Sequence, residues 1–126
     1  MARQEVRTDK APAPAGAYSQ GIVANGFLYT AGFGPIDPST GKVVEGGIAE
    51  QTAQVMRNIA AVLAERGLTF ADVVKATVHL ADMNDFAEFN RVYESFLEKP
   101  YPVRTTVGST LNGILVEIDV VAALRS

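Results

Sequence analysis

Two segments of the chain repeat hydrophobic positions every three or four residues, which is the spacing of one helix face. The first begins at Ile48, and Gly67 follows it where a helix commonly ends in a left-handed residue. The second lies in DMNDFAEFNRVYESFLEKP, which offers Asp82 or Asn84 as the N-cap and Pro100 as the stop. Its apolar stripe, interpreted as core, comprises Phe86, Phe89, Tyr93, Phe96 and Leu97. Two helices are therefore predicted.

Alternation of apolar and polar residues predicts strands around these helices. One strand covers about Phe27 to Ala31, and DPSTG, residues 37 to 41, predicts a turn. VVKATVHL, residues 73 to 80, then alternates as a half-buried strand would. Its predicted buried face is Val74, Ala76, Val78 and Leu80, and its predicted polar face is Lys75, Thr77 and His79.

Two further strands, roughly residues 103 to 108 and 114 to 123, are joined by a Gly-, Ser- and Asn-containing segment typical of a hairpin. With a less regular strand near the N-terminus, the order β, α, β, α, β, β predicts an α+β fold in which two helices cover one face of a sheet. VVAA, residues 120 to 123, is apolar on both faces of the last strand, so the second face also needs cover. Another subunit is the simplest source, and an oligomer is predicted.

Composition limits the classes of function. The 126 residues show no compositional shift, which predicts a single domain over residues 1–126. Without an apolar leader or a run near the length of a membrane span, a cytoplasmic protein is expected. The chain has no cysteine and one histidine, which excludes thiolate nucleophiles and sulfur-ligated metals, so no metal is expected. A net charge of -3, with scattered basic residues, is a poor match for nucleic acid.

Three charges interrupt the apolar C-terminal strands. Alternation places Arg104 and Thr106 on one face of their strand, and Glu117 and Asp119 share a face of theirs. Because an unpaired buried charge costs several kcal/mol, Arg104 either forms a cross-strand salt bridge with one of these carboxylates or faces a ligand. Its planar fork suits a bound carboxylate, and a neighbouring carboxylate could hold or deprotonate a water. Both readings are open at this point.

Other polar groups have weaker claims to chemistry. Tyr18 lies in GAYSQG, a loop of small residues from which a hydroxyl could reach a ligand. His79 has no second histidine or nucleophile motif beside it, so a surface or satisfied packing role is favoured. AGFGP is not a phosphate loop, because the glycine pattern is incomplete and Pro35 has no N–H to offer.

Five motifs at compatible spacing resemble the RidA family, the reactive intermediate deaminases also called the YjgF family. They are GAYSQG at 16–21, TAGFGPIDPSTG at 30–41, NDFAEFNRVYESFL at 84–97, YPVRTTV at 101–107 and VEIDVVA at 116–122. The resemblance implies a chorismate-mutase-like fold, a mixed β-sheet with two helices on one face, assembled as a homotrimer with three clefts between subunits. It also implies cofactor-independent hydrolysis of enamines and imines, such as 2-iminobutanoate and 2-iminopropanoate, to 2-oxo acids and ammonia.

The resemblance assigns roles to individual residues. Arg104 matches the family's substrate-binding arginine, Glu117 its water-associated glutamate and Tyr18 its cleft tyrosine. Thr106 stands where many members have cysteine, which leaves a hydroxyl and a backbone N–H but no thiol. Asn90 matches an asparagine of the second helix. The implied mechanism has Arg104 bind the substrate carboxylate while the glutamate deprotonates a water that adds to the C=N carbon.

Two motifs depart from the family pattern. The common SGQIP segment reads AGFGP, which keeps Gly32 as a close-approach backbone position but places Phe33 and Gly34 where Gln and Ile are usual. GAYSQ carries Ala17 in place of proline. These departures keep a second class of function open, a trimeric module that binds small carboxylates or 2-oxo acids without turnover. An endoribonuclease or translation inhibitor is a third class, which the negative charge disfavours.

Overall fold

The computed structural model describes residues 2–125, and its elements follow the predicted order with additions near the N-terminus. The helices are α1 (Ile48–Ala64) and α2 (Phe86–Ser95). The strands are β1 (Gln4–Val6), β2 (Gly21–Ala24), β3 (Phe27–Thr30), β4 (Ile36–Asp37), β5 (Lys42–Val43), β6 (Val73–Leu80), β7 (Val103–Gly108) and β8 (Val116–Ala123). Short 3₁₀ turns, Phe70–Asp72 and Met83–Asp85, precede β6 and α2.

One mixed sheet contains six of the strands, in the order β1-β2-β3-β8-β6-β7. Strands β6 and β7 run parallel, and the other neighbours in this sheet are antiparallel. Both helices pack on the same face, over a core that includes Leu28, Ile59, Val78 and Ile118. The fold class predicted from the sequence, two helices on one face of a mixed sheet, is confirmed. Within residues 2–125, neither helix has the length and apolar character needed to cross a membrane.

The predicted hairpin of the last two strands is wrong. Strand β6 lies between β7 and β8, so the segment from 109 to 115 crosses the end of β6 instead of forming a tight turn. The backbone N–H of Ser109 donates to the carbonyl of Leu80, and the N–H of Ala81 donates to the carbonyl of Leu115. Both ends of the connection are therefore fixed to the end of β6. Turn-forming residues indicate that the chain reverses direction, but they do not indicate beside which strand the returning strand pairs.

The predicted buried face of β6 is wrong at its first position. The register shifts between Val73 and Lys75, so that Val73 is buried whereas Val74 is 44% exposed. A bulge of this kind changes the alternation by one residue, which a strict period of two cannot represent. From Ala76 onward the predicted alternation is confirmed, and Leu80 is fully buried.

The helix termini agree with the sequence signals in part. Gly67 has φ +68, the left-handed conformation predicted for it. Asp82 caps the 3₁₀ turn before α2, its Oδ1 accepting from the N–H of Asn84 at 2.9 Å. The helix α2 ends at Ser95, before Pro100, so the proline is not its immediate stop.

The second face of the sheet carries apolar side chains without helices over them. Phe27 and Tyr29 of β3 and Val103 and Val107 of β7 are all more than a third exposed. Strand parity places Val121 of β8 on the same face, because it pairs directly with Tyr29. We call this the open face. Its apolar content fits the predicted oligomer, which stays a prediction.

Asp72 connects the end of the sheet to the turn before β6. Arg125 donates to it through Nε at 3.1 Å and through Nη2 at 2.9 Å, and the N–H of Thr69 donates to Oδ2 at 2.9 Å. The hydrogen bond from Arg125, followed by that from Thr69, lowers the pKa of Asp72 below its ordinary value. The carboxylate is therefore stabilised in its ionised form.

We expect Asp72→Asn to lower the free energy of unfolding by about 1 kcal/mol at neutral pH, since one change weakens a cap and an ion pair. Because the folded-state pKa is lowered, this stabilisation is present above the ordinary aspartate pKa and is lost as pH falls through the lowered value. Urea unfolding at pH 7 and at pH 2 tests this. Glu88→Gln, which disrupts the more exposed pair with Arg91, is the control with a smaller effect. An equal loss at both pH values would contradict the assignment.

Candidate functional site

The guanidinium group of Arg104 lies among aromatic rings of α2. Its Cζ atom is 5.5 Å from the ring centre of Phe86, 5.8 Å from that of Phe89 and 5.0 Å from that of Tyr93. Nη1 donates to Oδ1 of Asn90 at 2.7 Å. Each ring contact of this kind contributes about 0.5–2 kcal/mol, depending on how far the cation is desolvated. The cation is thus held in one position by four side chains of one helix.

Helix periodicity explains why these four side chains converge. Positions 86, 89, 90 and 93 follow the three- and four-residue spacing of one helix face. Arg104 pairs with the buried Ala76 of β6, so its side chain lies on the helix-covered face of the sheet. The sequence pattern indicates that the aromatic stripe is core and does not reveal this contact. The signal that could have predicted the contact is the charge of Arg104, on the face of β7 that α2 covers.

Next to Arg104 is a pocket with a volume of about 350 Å³, within the range of small-ligand sites. It is lined by Asn90, Tyr93, Glu94, Leu97, Tyr101, Pro102 and Arg104. Two of these, Arg104 and Asn90, are predicted site residues, and the structure brings them together. Apart from them and Tyr93, the walls come from the end of α2 and the segment before β7, and the sequence predicts no site residue in either.

Tyr93 contributes a buried phenol beside the cation. Burial raises the pKa of Tyr93, and the charge and hydrogen bonding of Arg104 oppose that rise. The phenol therefore stays neutral at physiological pH and retains a proton to donate. A neutral donor next to a fixed guanidinium suits recognition of an anion.

Thr106 follows Arg104 on the same face of β7, because side chains two residues apart on a strand share a face. It pairs with the buried Val78. Its Oγ1 is buried and has no hydrogen-bond partner among residues 2–125. The predicted placement of Thr106 beside Arg104 is therefore confirmed, whereas its proposed contact with substrate stays a prediction.

Glu117 lies against the backbone of Gly32. A Cβ atom added to Gly32 would be 2.5 Å from Oε1 of Glu117, a distance that real Cβ atoms essentially never show, and 3.0 Å from its Cδ. Gly32 does not have a positive φ, so a larger residue here would conflict with the Glu117 carboxylate and not with the backbone conformation. The group of the chain that lies close to Gly32 is Glu117, and the predicted contact of Gly32 with a substrate stays a prediction.

Tyr18 lies at the same end of the sheet as Gly32. The N–H of Ala31 donates to the carbonyl of Gln20, which extends the β2–β3 pairing toward both loops. Tyr18 is 52% exposed, and its hydroxyl accepts a hydrogen bond from the N–H of Ala15 at 3.0 Å. Its own proton stays available for a ligand.

The buried Gln20 fixes the segment that precedes this loop. Its Oε1 accepts from the N–H of Thr8, and its Nε2 donates to the carbonyls of Thr8, Ala11 and Pro12. One side chain thereby satisfies four backbone groups of an irregular segment. This anchoring shows how a Pro/Ala-rich stretch without regular structure can present Tyr18 reproducibly.

Arg104 and Glu117 lie on opposite faces of the sheet. Arg104 shares the helix-covered face with Ala76, whereas Glu117 pairs directly with His79 on the open face. The cross-strand salt bridge that the sequence left open is therefore wrong for both Glu117 and Asp119, which share the open face. We call Arg104, Asn90, Tyr93 and Thr106 the arginine half-site, and Tyr18, Gly32 and Glu117 the glutamate half-site.

The departures at AGFGP have a structural role. Phe33 is only 5% exposed and belongs to the core, and its backbone N–H donates to the carbonyl of Ile118. A Cβ atom added to Gly34 would be 3.1 Å from Cδ1 of Ile114. Phe33 therefore fills the core, and Gly34 accommodates the side chain of Ile114.

Residues 2–125 contain no group of three or more His, Asp or Glu side chains placed to hold a metal ion. The arginine half-site can bind a small anion, and the glutamate half-site can orient and deprotonate a water.

Comparison with known sequences identifies the relatives of this chain. A sequence profile of the family described as Endoribonuclease L-PSP matches residues 8–124. A RutC family protein of Pyrococcus abyssi is 45% identical over 124 residues, which are 97% of this chain and 98% of the relative. A protein of Rattus norvegicus named 2-iminobutanoate/2-iminopropanoate deaminase is 38% identical over 122 residues, 95% of this chain and 89% of the relative.

Solved structures agree with the sequence comparison. The structure of YyfA from Yersinia pestis, a member of the conserved Rid protein family, matches with a TM-score of 0.94 at 40% identity. The match covers 98% of this chain and 100% of that one. The similarity therefore extends over the helices and the sheet.

Proposed function

The chain belongs to the RidA (YjgF) family, and from that premise we propose that it hydrolyses small 2-imino acids and their enamine tautomers to 2-oxo acids and ammonia. The preferred substrates are of the 2-iminobutanoate and 2-iminopropanoate type. The observation that carries the proposal is the pocket of about 350 Å³ beside the fixed guanidinium of Arg104. A small carboxylate is the ligand that this arrangement suits best.

Carboxylate binding follows from the donors that remain on Arg104. Asn90 accepts from Nη1, and the ring contacts fix the plane of the guanidinium. Its other N–H groups can bind a carboxylate with two parallel hydrogen bonds. Because the cation is already positioned, binding costs little side-chain entropy.

Catalysis needs both half-sites, and they lie on opposite faces of one chain. We propose that the chain forms a homotrimer in which the arginine half-site of one subunit meets the glutamate half-site of its neighbour. Two features support this arrangement: β7, which carries Arg104, is an edge strand, and the open face exposes apolar side chains.

The proposed reaction uses the groups of both half-sites. Arg104 binds the substrate carboxylate, and Glu117 accepts a proton from a water whose oxygen forms a bond to the C=N carbon. The π electrons of the C=N bond move to nitrogen, which is protonated to give a carbinolamine. Proton transfer from the carbinolamine hydroxyl and to its nitrogen then releases ammonia and leaves the 2-oxo acid. No redox cofactor is required, since no electrons leave or enter the substrate.

The demand on the protein is modest because such imines hydrolyse without a catalyst. Stabilising the transition state by about 3–4 kcal/mol would accelerate hydrolysis several hundredfold. One positioned charge and one general base can together supply a transition-state stabilisation of this size.

The test is competition for an imine generated in place. An amino acid oxidase produces 2-iminobutanoate or 2-iminopropanoate, semicarbazide traps it, and the deaminase activity is measured as suppressed trapping. We expect suppression by the wild-type protein and not by Arg104→Ala, with Arg91→Ala as the control for an exposed arginine of α2. Binding of 2-oxobutanoate without any suppression would favour the non-catalytic binding module instead.

Gly32→Ala tests the glutamate half-site without changing an ionisable group. We expect kcat/KM to fall about ten- to a hundredfold, because the added Cβ displaces the carboxylate of Glu117. Thermal unfolding should change little, since Gly32 is exposed and has no positive φ. Gly108→Ala is the matched control: its Cβ meets Met83 at 3.4 Å, an ordinary contact. Full activity of Gly32→Ala would contradict the proposal that the Glu117 carboxylate acts from its position beside Gly32.

A further inference from the structure

The pocket beside Arg104 extends past the groups that the proposed reaction uses. Its volume of about 350 Å³ lies in the range that holds drug-sized ligands and is larger than 2-iminobutanoate needs. Apart from one acidic residue, the rest of the lining is apolar or aromatic, with half-buried Leu97 and Pro102 and the exposed ring of Tyr101. A substrate whose carboxylate is bound by Arg104 therefore has room for a longer side chain.

Glu94 is the acidic residue of this lining. It lies four residues after Asn90, which holds the guanidinium of Arg104, and therefore on the same side of α2. Leu97 follows in the same direction, and its N–H donates to the carbonyl of Glu94 at 3.0 Å. One helical turn advances by about 5 Å. Glu94 is thus placed beside the side chain of a bound substrate and not beside its carboxylate.

No cation of residues 2–125 forms an ion pair with Glu94. The ion pairs within that range involve other carboxylates, and Nη1 of Arg104 donates to Asn90. An exposed carboxylate in the lining of a pocket repels an anionic group of a ligand and attracts a cationic one. Arg104 and Glu94 therefore present opposite charges to the two ends of a ligand.

We propose that Glu94 is a specificity-determining residue of this pocket, which selects 2-imino acids with an apolar or cationic side chain against those with an anionic one. This inference rests on the proposed function, since it takes the carboxylate bound by Arg104 to be that of an imino acid. The apolar part of the lining accepts the side chain, and the charge of Glu94 discriminates at its far end. Imines derived from acidic amino acids are accordingly poor substrates.

The activity test compares imines of opposite side-chain charge. Glutamate oxidase generates 2-iminoglutarate, an amino acid oxidase acting on arginine generates the guanidino imine, and suppressed semicarbazide trapping measures the hydrolysis of each. We expect Glu94→Gln to raise the ratio of kcat/KM for the anionic over the cationic imine about three- to tenfold, the size of a charge effect at an exposed site. Glu88→Gln, an exposed position of α2 outside the pocket lining, should leave the ratio unchanged. An unchanged ratio in Glu94→Gln would overturn the proposal.

A second measurement does not depend on turnover. Calorimetric titration with 2-oxoglutarate and with 2-oxobutanoate compares an anionic with a neutral side chain on the same carboxylate anchor. We expect Glu94→Gln to tighten binding of 2-oxoglutarate about three- to tenfold relative to 2-oxobutanoate, and Arg104→Ala to weaken binding of both. Equal effects of Glu94→Gln on the two ligands would overturn charge selection by Glu94. A relative gain for 2-oxoglutarate in a protein that leaves imine trapping unchanged would support that selection and reject the proposed function alone.

Discussion

Replacing Arg104 with lysine will lower kcat/KM for 2-iminobutanoate about a hundredfold, the scale associated with losing a preorganised donor of a charged contact. Lysine keeps the positive charge but has neither the planar fork nor the face that lies against Phe86, Phe89 and Tyr93. Its ammonium group is also free to turn away from Asn90. Suppression of semicarbazide trapping, followed as a function of imine supply, measures the change.

Arg91→Lys is the matched control for this substitution. Arg91 is on the same helix as the ring cluster, pairs with Glu88 in solvent and should tolerate the change without loss of activity. Urea unfolding of Arg104→Lys separates a binding defect from a folding defect. Activity equal to wild type in Arg104→Lys would show that charge alone suffices and would count against carboxylate recognition by the fork.

Two inactive variants will recover activity when their chains share a trimer. An Arg104→Ala chain retains the glutamate half-site, and a Glu117→Gln chain retains the arginine half-site. In mixed trimers some clefts combine the two intact halves, and random assortment at equal amounts gives about a quarter of wild-type activity. Each variant alone should be near background, since loss of a general base costs about 10²–10⁴ in rate. The measurement is the imine-trapping assay after joint unfolding and refolding.

The double variant Arg104→Ala/Glu117→Gln, refolded with wild type, is the control for subunit exchange. Because this chain lacks both intact half-sites, it can complete no cleft, and mixing it with wild type should only lower the activity per subunit. No recovery in the mixture of single variants, despite exchange shown by a tagged subunit, would mean that each site is built within one chain. The opposite faces of Arg104 and Glu117 would then need another explanation.

Local periodicity predicted most of the elements because each signal lies within a few residues. Both helices, the turn after Asp37 and the left-handed Gly67 follow from spacing and residue type alone. The pairing of β7 with β6 could not be predicted in this way, since it joins residues far apart in the chain and depends on which sheet edge is free. The bulge after Val73 likewise depends on packing against β8 and not on propensity.

The site was predictable strand by strand but not as a whole. Alternation correctly placed Arg104 and Thr106 on one face of β7, and Glu117 and Asp119 on one face of β8. Whether these two pairs face each other depends on β6, the strand between them, whose register puts them on opposite faces. The roles of Asn90 and Gly32 came from the family resemblance, and the structure gives each a contact in its half-site.

The central position of β8 has a consequence for how the chain is made. The last strand in sequence joins β3 to β6, so the N-terminal strands and the β6–β7 pair are not connected by backbone pairing until residues 116–123 are added. During synthesis the emerging polypeptide would present two unpaired edges, one on β3 and one on β6. Folding of the complete sheet is therefore expected only once residues 116–123 have left the ribosome, and partners that shield such edges would matter most until then.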